Sequence, residues 1–180
     1  MSHKLKSMKV TNDLLEHHID VYDRLRKPLS SIERKGKKTY PYYGATGVLD
    51  YVSDYIFDDE YILLAEDGTV MNPDDTPIIQ FISGKTWVGN HTHVLKSKGD
   101  LSLYALYFIL RETNVRNAVT GAVQMKINQE NMKKINIKSP VNIEEFNNIS
   151  FIVMEKIKST NNQLTSLENL KQQYLKKFFG

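Results

Sequence analysis

The sequence predicts an α+β protein, in which a mixed globular body precedes a long C-terminal coiled-coil helix. Two observations predict this fold class. Short apolar runs at residues 61–65 and 78–82 alternate with Gly- and Pro-containing turns, and helical patterns occur between them without regular βαβ order. Apolar residues then recur at steps of four and three within residues 143–179, a stretch without Gly or Pro. At 180 residues, the chain fits one domain with a helical appendage.

The first 25 residues are predicted to form an N-terminal helical segment. Thr11 or Asn12 is a suitable cap, and Pro28 ends the pattern. One side of this helix would be mainly apolar, with Leu15, His18, Ile19, Tyr22 and Leu25. A basic, glycine-broken loop follows at residues 34–38.

The central part, residues 26–140, is predicted to be one domain of strands and short helices. Strands are expected at residues 40–43, 48–55, 61–65, 78–82, 91–96 and 135–137. A helix capped by Asp100 or Ser102 and a short helix at residues 128–134 complete the domain. A long helix forms the third unit, residues 141–180.

The charges are distributed unevenly. Residues 1–38 have ten Lys and Arg against five Asp and Glu, whereas residues 39–84 have nine acidic residues and no Lys or Arg. Residues 85–140 are basic again, with nine against three. Two basic blocks around an acidic one are typical of a polarised surface that faces a polyanion, although interleaved solvated charges are the alternative.

Catalytic and metal-binding patterns are weak. The sequence has no cysteine, so thiolate chemistry and cysteine-based metal sites are excluded. His91 and His93 share one side of a predicted strand, but a third metal ligand is not evident. The acidic pair Glu66 and Asp67 fits a turn better than a catalytic pair, and Ser83 occupies the position where a divalent-metal nuclease needs its second acid. We therefore predict a protein with no catalytic and no metal residues.

Several residues suit nucleic-acid binding, because lysines bind phosphates and polar groups read base edges. The tyrosines beside Gly and Pro turns could instead be packing residues. The candidate DNA-binding residues are Lys35, Lys37, Lys38, Tyr42, Tyr43, Thr46, Lys85, Thr86, Asn90, Thr92, Lys96, Gln124 and Lys126.

The C-terminal pattern predicts a dimerisation seam. Its a and d positions, with the flanking Leu170, are Val153, Ile157, Thr160, Leu164, Leu167, Leu170, Lys171, Tyr174 and Phe178. The polar residues Thr160 and Lys171 weaken the seam but can fix its register. The alternative is a helix that folds back on its own body.

The order of several segments resembles the specificity subunits of type I restriction–modification systems. The segments are Tyr-Pro-Tyr-Tyr-Gly-Ala-Thr-Gly at 40–47, Tyr-Ile-Leu-Leu-Ala-Glu-Asp-Gly at 61–68, Gly-Ala-Val-Gln at 121–124 and Ile-Asn-Ile-Lys-Ser-Pro at 135–140. The helix at 143–179 resembles the family's helical region, including Leu164, Leu167 and Leu170. The resemblance extends from about Arg26 to the C-terminus, but the chain carries one recognition domain and one long helix where the family has two of each.

The resemblance implies a non-enzymatic target recognition domain that binds double-stranded DNA. It further implies a homodimer that directs methylation and restriction to a bipartite palindromic site in the cytoplasm. A modification (adenine methyltransferase) subunit and a restriction subunit would be partners, and only they would use S-adenosylmethionine, ATP and Mg. No membrane segment is expected, because no run approaches the length of a span. The alternative function is a protein-interaction module that pairs through its helix without binding DNA.

Overall fold

A four-stranded antiparallel sheet lies at the centre of the protein, in a computed structural model that describes residues 8–179. Its strands, in spatial order, are β2 (Ile19–Val21), β9 (Thr92–Ser97), β6 (Tyr61–Ala65) and β7 (Ile79–Ile82). All five residues of β6 are buried, because the strand is covered on both faces. This explains why its sequence is continuously apolar.

The two faces of the central sheet pack against different layers. Ile62 and Leu64 of β6 belong to the main hydrophobic core, which includes helix α1 (Leu103–Leu110). Leu63, between them, belongs to a smaller core that includes Phe57 and Val88 of the second sheet. Successive side chains of a strand point to opposite faces, so one apolar run serves both layers.

The second sheet carries four of the thirteen predicted DNA-binding candidates, namely Tyr42, Tyr43, Lys85 and Thr86. Its strands are β4 (Gly47–Val52), β3 (Tyr40–Gly44), β8 (Lys85–Val88) and β5 (Phe57–Asp58), in that spatial order. β3 and β8 are parallel, with Tyr42 opposite Trp87, and the other pairs are antiparallel. The parallel pair sends the ends of β3 and β8 to the same edge of the sheet.

The helix predicted within residues 12–25 is wrong. This segment forms strand β1 (Val10–Leu14), a 3₁₀ turn at Leu15–His17, β2 and a second 3₁₀ turn at Asp23–Leu25. β1 pairs with β10 (Asn136–Pro140) and β2 pairs with β9, so distant strands override the local pattern. The Asp13 carboxylate accepts hydrogen bonds from Leu14 N, His17 and His18 and holds the intervening turn. The part of the prediction at residues 1–7 lies outside the described residues.

The remaining helices agree with the sequence prediction, whereas strands β5 and β8 were not among the predicted strands. Ser102 caps α1 by accepting a hydrogen bond from Ala105 N, and Asn128 caps α2 (Gln129–Lys133) in the same way. The long helix α3 spans Ile143–Phe179. The predicted α+β fold class with a long C-terminal helix is therefore confirmed. Among residues 8–179, no helix combines the length and apolar character that a membrane span requires.

Candidate nucleic-acid interface

Three exposed loops meet where β3 and β8 end, and we call residues 44–47, 89–91 and 120–126 the loop edge. Gly89 N donates to Tyr43 O at 3.0 Å, which places the second loop beside the first. The third loop joins through Gly68, whose N donates to Met125 O at 3.0 Å, next to the Glu66 N bond to His91 O at 2.9 Å. The fold therefore brings together three loops that lie far apart in sequence.

A buried charge network of Asp23, Arg26, Glu66 and His93 lies beneath the loop edge, and the exposed Lys126 of the third loop joins it from the surface. Arg26 Nη1 donates to Glu66 Oε2 at 2.6 Å and to Thr92 O at 2.7 Å. Asp23 lies 2.6 Å from His93 Nδ1 and 3.4 Å from Arg26 Nη2, and Lys126 Nζ lies 3.2 Å from Glu66 Oε1. The network therefore joins Asp23 and Arg26 to β9, to Glu66 after β6 and to Lys126 at the end of the third loop.

Both carboxyl groups of this network are held in the ionised form. Burial raises the pKa of Glu66, but the hydrogen bonds from Arg26 and Lys126 and the charges of His93 and Arg26 together outweigh it, so the pKa lies below its usual value. Burial likewise raises the pKa of Asp23, but the hydrogen bonds from His93 and Val94 N and the charges of His93 and Arg26 together outweigh it, so this pKa is also lowered. Two ionised carboxylates therefore face the Arg26 guanidinium, and Lys126 pairs with Glu66.

The network does not fit a metal ion, although Asp23, Glu66 and His93 place one ligand atom each within 4.8 Å of one another. The guanidinium of Arg26 already occupies the space beside both carboxylates. The second ring nitrogen of His93 lies 2.8 Å from Ile127 O, so the ring has no free ligand atom. Glu66 is likewise held by two cations and is not placed as a catalytic acid.

His91 and His93, which were considered as metal ligands and not predicted to be so, do not come together. His91 is exposed and its Nδ1 lies 2.6 Å from Asp67 Oδ1, whereas His93 is buried in the charge network. Asp67, which follows Glu66 in sequence, therefore contacts the exposed His91 and not His93. The two histidines serve separate interactions.

Three DNA-binding candidates are buried, so they are not available to contact DNA. Tyr42 is 4% exposed, Thr86 is 1% exposed and Thr92 is 0% exposed. The Tyr42 hydroxyl accepts a hydrogen bond from Leu29 N, and its ring lies under the guanidinium of Arg34. Their roles are in packing.

The structure brings some candidates to the loop edge and places others elsewhere. Thr46, Asn90, Gln124 and Lys126 lie on its three loops and are exposed, while Tyr43 is half-buried just inside. Burial raises the pKa of the Tyr43 hydroxyl. These residues form the polar, partly cationic rim that a base-reading surface needs.

Lys85 and Lys96 lie away from the loop edge. Lys85 starts β8, whose other end leads into the loop edge, and its ammonium lies 4.6 Å from the Tyr55 ring centre. Lys96 lies near the far end of β9, pairs with Asp59 and lies over the Tyr61 ring. At about 3.3 Å per residue, Lys85 and Lys96 lie roughly 10–13 Å from Val88 and Thr92, the residues at which their strands meet the loop edge.

The basic loop at residues 34–38 contacts the β3–β4 hairpin, where Arg34 lies over the Tyr42 ring and 3.9 Å from Asp50. Lys38 Nζ forms a 2.8 Å ion pair with Asp50, so part of its charge is neutralised. Lys35 and Lys37 are exposed, and within residues 8–179 neither has an ion pair. These two lysines are the available cations of this loop.

Val123, at the tip of the third loop, was not among the candidate residues from sequence, although residues 121–124 are one of the segments that carry the resemblance. Val123 is fully exposed there, and Thr120 and Lys126 close the loop with two 2.8 Å backbone hydrogen bonds. Gly121 has φ +84°, and a Cβ would lie 2.2 Å from Gln124 O. The glycine is the sequence signal for this tight loop.

Helix α3 packs against the body only along its first part. Phe146, Ser150 and Met154 are buried, and Lys158 Nζ lies 2.6 Å from Glu60 Oε1 and 2.7 Å from the Tyr104 hydroxyl. Burial lowers the pKa of Lys158, but its hydrogen bonds to Glu60 and to the Tyr104 hydroxyl, with the charges of these groups, together outweigh burial and raise the pKa. This ion pair fastens the helix where it leaves the body.

The rest of α3 extends away from the body for about 30 Å, at 1.5 Å per residue. Val153 of the predicted seam is half-buried against its own core, and Ile157 is 37% exposed. The apolar residues that follow are all exposed: Leu164, Leu167, Leu170, Tyr174, Leu175, Phe178 and Phe179. The helix therefore does not fold back on its own body beyond Lys158.

Comparisons with known proteins agree with this architecture. Residues 19–173 match the sequence model of the type I restriction modification DNA specificity domain. A putative type I restriction enzyme specificity subunit of Haemophilus influenzae is 32% identical over 126 residues, which are 70% of this chain and 32% of that protein. The chain thus spans about a third of that relative.

Solved structures show the same fold. A type I restriction-modification S subunit from M. genitalium has a TM-score of 0.75 and 14% identity, over 96% of this chain and 46% of that one. An HsdS subunit from Thermoanaerobacter tengcongensis has a TM-score of 0.50 and 12% identity, over 93% of this chain and 44% of that one.

Proposed function

Because this chain belongs to the family of the type I restriction modification DNA specificity domain, we propose that it is the sequence-specific DNA-binding part of such a system. In this role it is not an enzyme. The loop edge reads the bases, and the neighbouring lysines bind the phosphates. The observation that carries the proposal is the meeting of three exposed polar loops at one edge of the second sheet.

The chemistry of the loop edge supports base reading. The amide side chains of Asn90 and Gln124 are exposed, and such amides can form paired hydrogen bonds with adenine in the major groove. Lys126 lies on the same loop as Gln124, and Lys35 and Lys37 lie on the adjacent basic loop. The charge network beneath holds these loops in fixed relative positions.

The exposed part of α3 supports association with a second copy. Its apolar residues are spaced for a coiled coil and have no cover within residues 8–179. Two copies related by a two-fold axis would present two loop edges in inverted orientation. The DNA target is then a bipartite palindrome, and each copy reads one half.

Assembly with other subunits supplies the chemistry in this proposal. A modification subunit uses S-adenosylmethionine to methylate adenine, and a restriction subunit uses ATP and Mg to cleave DNA. This chain directs both subunits to the bipartite site, in the cytoplasm where the DNA lies.

A protein-interaction module that binds no DNA is the second candidate, favoured by the exposed apolar stripe of α3 alone. The two functions differ in salt dependence. DNA binding through phosphates weakens steeply as the salt concentration rises, whereas apolar helix pairing does not. Binding to a mixed duplex pool at two salt concentrations distinguishes them.

The test is the adenine-methylation pattern of a host that carries the chain with its modification subunit and has no other adenine methyltransferase. We expect methylation at one bipartite inverted repeat. Replacing Asn90 and Gln124 with Ala should abolish or change this motif, whereas Lys98→Ala, far from the loop edge, should leave it intact. Absence of any methylated motif would contradict the DNA-binding proposal.

A further inference from the structure

Helix α3 is attached to the body by two polar side chains on one side of the helix. Near its start, Asn147 accepts a hydrogen bond from Ser102 N at 2.9 Å and donates one to Asp100 O at 2.8 Å. Three turns later, Lys158 contacts the body. At 3.6 residues per turn, the two side chains leave the helix only about 20° apart. A rod that is held at two separate points has a defined direction, so these two attachments orient α3.

The second attachment is a closed triangle of hydrogen bonds, which we call the clamp. Lys158 Nζ donates to Glu60 Oε1 at 2.6 Å and to the Tyr104 hydroxyl at 2.7 Å, and this hydroxyl donates to Glu60 Oε1 at 3.0 Å. Tyr104 belongs to α1 and Glu60 directly precedes β6, so the clamp joins α3 to two elements of the body. Hydrogen bonds restrict both distance and angle, whereas apolar packing is not directional.

The clamp is the last attachment before α3 leaves the body. The buried residues of α3 end at Met154, and all residues from 159 to 179 are exposed. Without the clamp, the attached part of the helix would end about one turn earlier. The attached length, measured from Asn147, would then fall from about 16 Å to about 10 Å at 1.5 Å per residue.

The attached length determines how far the exposed part of α3 moves. Gln173 lies about 39 Å beyond Asn147 at 1.5 Å per residue. Thermal motion of about 1 Å at the attachments becomes about 2.4 Å at Gln173 with the clamp and about 3.7 Å without it. Successive base pairs of DNA are about 3.4 Å apart. The clamp therefore keeps the displacement of the helix below one base-pair step.

We propose that Lys158, Glu60 and Tyr104 are positioning residues that fix the direction of α3 relative to the loop edge, and thereby the spacing between the two half-sites of the DNA target. The role in spacing rests on the proposed function, in which a second copy joins at the exposed part of α3. The fixed direction of α3 is a property of the single chain. Because the clamp lies on the body side of α3 and not on the loop edge, its loss leaves the half-site sequence unchanged and alters the number of base pairs between half-sites.

The distance between two spin labels measures the direction of α3 in the full chain. The labels are attached to Asn117→Cys in the body and Gln173→Cys in α3; both positions are exposed and the sequence has no native cysteine. An excess of unlabelled chain removes distances between labels of different copies. Lys158→Met should widen the distance distribution about 1.6-fold, the ratio of the two attached lengths. Lys156→Met, which changes an exposed lysine of the same helix, should leave the distribution unchanged.

Two further variants distinguish the clamp from a general loss of folding. Tyr104→Phe removes one hydroxyl, and with it two sides of the triangle, so it should also widen the distribution. Glu60→Lys combined with Lys158→Glu reverses the charges and should give a narrower distribution than either single change. The side chains of Lys158 and Glu60 are 33% and 29% exposed, so Lys158→Met should lower the thermal unfolding midpoint by less than about 4 °C. A distribution that stays narrow in both Lys158→Met and Tyr104→Phe would overturn the clamp.

The methylated motif in the host then tests the role in spacing. The wild type should direct methylation to half-sites with one spacer length, and Lys158→Met should accept the same half-sites with at least one additional spacer length. A widened distance distribution with a single, unchanged spacer would overturn the role in spacing. A wild-type chain that directs no methylation would overturn the proposed function and the spacing role with it, while the distance measurement would still decide whether the clamp fixes the direction of α3.

Discussion

Removing the guanidinium of Arg26 should be the most damaging single change in the buried charge network. Arg26→Met keeps most of the aliphatic stem but removes the guanidinium, so Glu66 keeps its close pair with Lys126, and Asp23 keeps His93, Val94 N and Gln129. Thr92 O also loses its 2.7 Å donor. The Arg26 side chain is 14% exposed and its partners 9% and 14%, so solvent replaces these bonds poorly. Breaking a buried pair from one side costs about 3–5 kcal/mol, and the remaining cations reduce our expectation to about 2–4 kcal/mol.

Urea unfolding followed by circular dichroism measures this loss. Protein concentration must be fixed, because dimer formation contributes to apparent stability. The matched control is Arg24→Met, an exposed arginine two residues away, which should change stability by less than about 0.5 kcal/mol. Arg26→Met with Glu66→Gln should recover part of the loss, since an unpaired charge is removed. Equal stability of the two single arginine variants would refute the reasoning.

Three further predictions concern DNA binding, dimer formation and stability at low pH. Lys35→Ala with Lys37→Ala should weaken binding to all duplex sequences and reduce the slope of log K against log salt by about 2. Lys98→Ala serves as the control. An unchanged slope in a filter-binding series would count against a role of the basic loop in DNA binding. Leu164→Asp with Leu167→Asp should give a folded monomer, and a dimer in sedimentation would contradict the seam. The pKa values of the Asp23 and Glu66 carboxyls are lowered, so the stability that these groups contribute is complete above about pH 5 and is lost as the pH falls. The urea midpoint of the wild type should therefore drop more steeply in acid than that of Arg26→Met.

Much of the fold was predictable because its signals are local. The bounds of α3 agree with the sequence prediction, since the a/d spacing and the absence of Gly and Pro are both visible in the chain. The N-terminal segment was not predictable in the same way. Leu15 and Ile19 are four residues apart and both buried, as in a helix, but a 3₁₀ turn between two strands produces the same spacing. The strands that decide between these structures, β9 and β10, lie far away in sequence.

The candidate interface was only partly predictable, because polarity in sequence does not report exposure. Thr86 and Thr92 suggested base contacts, yet both lie in strands that are covered on both sides. The buried charge network could not be found at all. Its pair Arg26 and Glu66 is separated by 40 residues, and no local pattern relates such positions. Exposure and long-range pairing are properties of the fold and not of any segment.

The geometry of α3 explains how one helix can serve both the body and a second copy. The body-facing residues, from Phe146 to Lys158, follow one another at steps of four, and this line turns by about 40° at each step. The seam repeats every 3.5 residues on average and stays on one side. In a straight helix the seam turns by about 20° per heptad in the opposite sense, so the two lines are close together at Phe146 and about 150° apart at Lys158. The face of α3 that contacts the body therefore turns away from the seam as the helix leaves the body. For this reason Val153 is half-buried, Ile157 is 37% exposed and Leu164 is exposed to a partner helix.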